Sequence, residues 1–105
     1  MFGGGDYDEV ARWLRNFVAS HAKRENLRVE AVLEAEGSRE GKSYGVRLRL
    51  QDELRPAADV APLELGFAEV ASGRGSLAWC DALAERVRAR VREFSPPSVG
   101  ARRPA

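Results

Sequence analysis

The sequence predicts an α+β fold. One domain runs helix, three-stranded antiparallel sheet, helix (αβββα), with both helices on one face of the sheet. Three observations predict it. Apolar residues recur at helical spacing from Tyr7 to Lys23 and again from Leu77 to Phe94. Between them, two runs alternate apolar with polar side chains, around Leu33 and around Leu48. A stretch of turn chemistry, Gly37 to Ser43, joins those two runs. Both patterns are satisfied together when the two helices cover the apolar side of the sheet and its charged side faces water.

The first helix places Val10, Trp13, Leu14, Phe17 and Val18 on one face, with Ala22 after them. Asp6 is its expected cap, Asp8 and Glu9 suit its positive end, and Lys23 and Arg24 its negative end. Asn26 is expected as a left-handed stop. The first strand sets Leu27, Val29, Ala31, Leu33 and Ala35 against Arg28, Glu30, Val32, Glu34 and Glu36. The second sets Tyr44, Val46, Leu48 and Leu50 against Gly45, Arg47, Arg49 and Gln51. Paired as a hairpin, the two place glutamates beside Arg47 and Arg49, so cross-strand ion pairs are expected on a solvated face.

Asp52 to Pro62 contains two prolines and few large apolar residues, and reads as a loop. Leu63, Leu65 and Phe67 form a third strand, its alternation slipping toward a bulge near Glu69. Ser76 then caps a second helix from Leu77 to Phe94, whose apolar arc holds Leu77, Cys80, Leu83, Ala84, Val87, Val91 and Phe94. Pro96 and Pro97 end it. Residues 1–5 and the basic tail 95–105 are expected to be flexible, leaving 6–94 as the single domain.

Composition narrows the function. The 105 residues carry 17 Lys+Arg against 16 Asp+Glu, a formal net charge of +1, which is not that of a strongly charged tail protein. A single cysteine, Cys80, allows no internal disulfide, the N-terminus lacks a signal-peptide pattern, and no apolar run spans a membrane. An intracellular, cytoplasmic protein is expected. Arginine outnumbers lysine 15 to 2, with 16 alanines and no isoleucine, which is the bias a GC-rich genome gives through its codons.

No catalytic set is visible. His21 and Cys80 are the only histidine and cysteine, no zinc-ligand spacing occurs, and both read as parts of apolar helix faces. Neither an enzyme, nor a metal, nor a small-molecule cofactor is expected. Charge is uneven along the chain: residues 74–105 hold seven arginines and three acids, the rest ten basic and thirteen acidic residues. Arg74 and Ser76 precede the second helix, where free amide groups suit an anion. Trp79, Arg86 and Arg90 share one margin of that helix. These five residues are the candidate binding set. The expected function is a small non-catalytic interaction module that binds a protein or a second copy of itself. The alternative is nucleic-acid binding through the basic second helix and the loop before it.

The element order also resembles the double-stranded-RNA-binding domain, over about residues 7–94. The likeness rests on Glu36-Gly37, on Tyr44-Gly45-Val46-Arg47-Leu48-Arg49-Leu50, and on Gly73-Arg74-Gly75-Ser76 before the last helix. It implies duplex RNA as the ligand of the alternative reading. Leu77-Ala78-Trp79-Cys80 stands where that family has a lysine cluster, which leaves Arg74, Arg39 and Lys42 as the basic residues matching its contacts. It is a resemblance of arrangement.

Overall fold

In the computed structural model residues 3–94 are described, with their side chains from Tyr7 onward. Helix α1 spans Gly3–Glu25, β1 Glu30–Glu34, β2 Ser43–Leu50, β3 Glu53–Arg55, β4 Leu63–Gly66, α2 Phe67–Gly73 and α3 Leu77–Arg92. The sheet is antiparallel. Strand β2 is central, with β1 along one side and both β3 and β4 along the other. The third row is thus a strand broken in two: β4 pairs with residues 43–46 of β2 and β3 with residues 48–50.

One core holds the layers together. Tyr7, Val10, Leu14, Val18 and Ala22 of α1 meet Tyr44, Val46 and Leu48 of β2, Leu65 of β4, Val70 of α2, and Leu83, Val87 and Val91 of α3. Each fully buried aliphatic side chain among them contributes about 1.5–3 kcal/mol of transfer free energy. The Tyr7 ring stacks on Tyr44 with centroids 4.6 Å apart. The Tyr7 hydroxyl sits against the carbonyls of Ala35, Arg39 and Ser43, and the Tyr44 hydroxyl donates to the Tyr7 carbonyl at 2.8 Å. These contacts fasten the start of α1 to the β1–β2 connection.

The hairpin register places Glu30 opposite Arg49 and Val32 opposite Arg47, and the expected ion pairs form between Glu30 and Arg49 and between Glu34 and Arg47. The connection is a single 3₁₀ turn, Gly37–Arg39, followed by Gly41. Gly37 and Gly41 have φ of 68° and 77°, a region that glycine enters without the clash a Cβ would bring.

Several expectations are corrected. Helix α1 opens at Gly3, so Gly3–Gly5 are helical and Asp6 lies inside the helix instead of capping it. Once the face from Tyr7 onward is packed, each further residue adds a hydrogen bond, which offsets the roughly 1 kcal/mol that helical glycine costs. Asn26 does not take a left-handed conformation, since Gln51 is the sole non-glycine with positive φ among the described residues. Its side chain instead accepts the Arg28 amide at 2.9 Å, and this local turn leaves Leu27 79% exposed and delays β1 to Glu30. The expected loop 52–62 contains β3, joined to β2 through the two residues Gln51 and Asp52.

The third strand ends at Gly66, and the expected bulge near Glu69 is the helix α2. Phe67, Val70 and Ala71 have helical spacing and reach the core, while Glu69 accepts the Gly66 amide at 3.4 Å. Leu77, expected in the apolar arc, is 78% exposed because the first turn of α3 extends past the core. The tail 95–105 lies outside the described residues.

Candidate functional site

The charged face of the sheet is not uniformly wet. Arg47 is only 7% exposed. Its Nε donates to Glu34 at 2.8 Å, and one terminal nitrogen donates to the carbonyls of Pro56, Ala57 and Val60 at 3.1, 2.6 and 2.7 Å. The chain between β3 and β4 therefore leaves the sheet plane and arches over Arg47. Nearby, Arg39 lies across Gly45 and grips Glu64 through Nε and a terminal nitrogen, and Ser43 donates to the same carboxylate at 2.7 Å. The Arg39 guanidinium, then Ser43, hold the Glu64 carboxyl below its ordinary range. Arg39 is thus committed within the fold.

Because the loop departs on that side, a notch is left on the helix side between the end of β3 and the start of β4. Val46, Leu48, Pro56 and Leu63 form its floor with Val87 of α3, and Arg55, Arg86 and Arg90 stand around it. The notch opens into a cleft of about 300 Å³ lined by Leu63, Arg86, Ala89, Arg90 and Glu93. Arg55 pairs with Glu53 and lies over the Phe94 ring at 5.7 Å, and Arg90 pairs with Glu93 at 2.8 Å. Arg86 forms no ion pair among the described residues. On the opposite flank of α3, Arg88 and Arg92 are neutralised by Glu25 and Glu85.

Of the five candidate binding residues, Arg86 and Arg90 come together in this cleft. The other three stand elsewhere. Ser76 is consumed as the helix cap, accepting the Trp79 amide at 3.2 Å. Trp79 lies against Gly73, donates its indole N–H to Glu69 at 3.2 Å, and tilts against Trp13 at 6.4 Å. Arg74 ends α2 without an ion pair among the described residues. Arg55 and Leu63 were missed by sequence reasoning. They are far from α3 in the chain, and the only signal for them was the apolar position of Leu63 in a strand.

His21 packs its ring on Phe17 at 4.5 Å, and its Nδ1 is buried without a hydrogen-bond partner. Burial, then Arg24 and Arg88, push its pKa below the ordinary 6.5 against the opposing pull of Asp81. Below that value the unfolded chain takes up a proton that the folded chain resists, so His21's contribution to stability is full above about pH 6.5 and is lost as pH falls through the folded pKa. Glu30, Glu64 and Glu85 are also shifted, but downward from 4.5, and act in a lower window. The urea midpoint is therefore expected to fall between about pH 7 and 5, and His21→Leu to flatten that fall. Equal slopes in the two proteins would exclude His21 as its source.

Cys80 has its sulfur near the carbonyls of Gly73 and Arg74, at 3.7 and 3.8 Å. Among the described residues no three His, Cys, Asp or Glu side chains gather as a metal site, and no helix is long and apolar enough to cross a membrane. No protein-family model, curated protein or solved structure matches the chain, so the geometry of this surface stands alone as the basis for a functional reading.

Proposed function

We propose that the chain is a small non-catalytic interaction module that takes a protein partner, a second copy included, in the cleft along α3. The observation that carries this reading is the cleft itself: about 300 Å³ between the half-buried Leu63 and α3, with Arg86 beside it and unpaired among the described residues. Concave, mostly apolar ground with a few placed charges is where ligands bury surface and gain orientation. The nucleic-acid alternative is less well supported. Trp79 has its indole face against Gly73 instead of open to a base, Arg39 is held by Glu64, and no aromatic ring lines the notch.

A photo-crosslinking residue at Ala89, in the cleft wall, tests the reading inside cells, with the same residue at exposed Asn16 of α1 as control. The expected result is a discrete protein adduct from position 89 that weakens in Arg86→Glu/Arg90→Glu and is absent from position 16. Nuclease-sensitive adducts, with a duplex-RNA mobility shift at about 50 mM salt that disappears at about 200 mM, would replace this reading by the alternative.

A further inference from the structure

We infer that a second copy of the chain docks on the open edge of β1, away from the cleft along α3, so that two sheets join into one. Strand β1 pairs with β2 alone, which leaves its other side as a sheet edge. In an antiparallel strand the N–H and C=O of one residue point to the same side, and successive residues alternate sides. Val29 settles which residues face out. Its N–H donates to the Asn26 carbonyl at 3.1 Å and its C=O accepts from Lys23 at 3.0 Å, so neither goes to β2. Ala35 likewise gives its carbonyl to the Tyr7 hydroxyl at 3.2 Å. Ala31 and Leu33 share the parity of these two, so their N–H and C=O groups point away from β2 and find no partner among the described residues. The edge is a short window, closed at one end by Lys23 and at the other by Tyr7, with Val32 at its centre.

That window fits its own copy. Antiparallel pairing about a two-fold axis through Val32 sets Ala31 opposite Leu33 of the second copy, and Leu33 opposite its Ala31. The open groups then satisfy one another, and the contacts of Lys23 and Tyr7 stay in place. A slip of two residues either way would set Leu33 against Val29 or Ala31 against Ala35, whose carbonyls are already taken. Charge agrees with the same register. It brings Arg28 level with Glu36 of the second copy; both are exposed, and neither forms an ion pair among the described residues. Glu30 comes opposite Glu34, but each is already neutralised on its own chain, by Arg49 and by Arg47.

Light scattering and amide exchange of the intact chain between about 10 µM and about 1 mM test this. A dimer is expected to form over that range, with the Ala31 and Leu33 amides exchanging more slowly as it does, while the Val32 amide, already bonded to β2, is slow throughout. Glu36→Arg should weaken the dimer about tenfold, and Arg28→Glu/Glu36→Arg should bring it back to within about threefold of the parent. A monomer at every concentration overturns the inference, and so does a dimer that Glu36→Arg weakens and the double exchange fails to restore. A dimer abolished by Arg86→Glu/Arg90→Glu, with Ala31 and Leu33 exchanging freely, overturns it in favour of a copy seated in the α3 cleft. Loss of the position-89 adduct alone would remove the cleft as a docking surface and leave the β1 edge untouched.

Discussion

Replacing Arg47 by methionine is expected to lower the unfolding free energy by about 3 kcal/mol, the largest effect of any single exposed-face substitution. The arithmetic starts from four charge-assisted hydrogen bonds, three to the carbonyls of Pro56, Ala57 and Val60 and one to Glu34. Each is worth about 1.5–3 kcal/mol in isolation, but they share one donor group and are not additive. The Glu34 bond adds little, because that carboxylate keeps 36% of its side chain in water and is screened there. Most of the loss is the loop. A buried ion pair is often replaced by apolar residues without harm, yet that exchange needs both partners to change. Here the acceptors are backbone carbonyls, which no substitution removes.

Arg47→Lys should recover less than half of the loss, since an ammonium offers a point charge where the guanidinium reaches loop and glutamate at once. Urea denaturation measures both variants. Because the arch over Arg47 is also what opens the notch between β3 and β4, the methionine variant should weaken the position-89 adduct without touching a residue of the cleft. A change below about 1 kcal/mol would show that the loop is held by other means.

The parts of this fold that were legible in the sequence are those decided by local periodicity. Alternation in residues 29–35 and 44–50 fixed which side chains share a face, and from it the Glu30–Arg49 and Glu34–Arg47 pairs followed. Ser76 was readable as a cap from its own chemistry. What was not legible depends on contacts from far along the chain. Phe67 satisfies both a strand period and a helix period, and only burial of Val70 and Ala71 decides for α2. Arg47 has the sequence pattern of a wet surface residue, because nothing in its neighbourhood along the chain signals that residues 56–60 return over it.

The candidate site divides in the same way. A helical wheel aligns Trp79 with Arg86 and Arg90 but hides the axis, along which they lie about 10 and 16 Å from the tryptophan at 1.5 Å per residue. The wheel was right about direction and silent about distance. Arg86 and Arg90 fall over the start of β4, whereas Trp79 falls over the corner between α2 and α3.

That corner carries the second large effect. Gly73 is buried, and a Cβ there would lie 2.3, 2.6 and 2.7 Å from Cδ2, Cε2 and Cγ of Trp79, closer than any real carbon contact. The indole cannot swing away freely. Its N–H is held by Glu69, its backbone amide by the Ser76 cap, and its ring is flanked by Trp13. Gly73→Ala must therefore open the corner between α2 and α3, and the expected cost is about 2–3 kcal/mol, with Gly73→Val worse. The requirement is steric and not conformational, because Gly73 is not among the residues with positive φ.

Gly75, two residues on, supplies the control: a Cβ there meets only the Ser72 carbonyl at 3.8 Å. Gly75→Ala should be neutral or stabilise by up to about 0.5 kcal/mol through the unfolded chain. In a Trp13→Phe background, Gly73→Ala should also shift indole emission to the red as Trp79 loses its seat. Combining Gly73→Ala with Trp79→Leu should cost clearly less than the sum of the two, since the clash exists only while the indole is present. Strict additivity, or a Gly73→Ala protein as stable as the parent, would mean that Trp79 does not rest on this glycine.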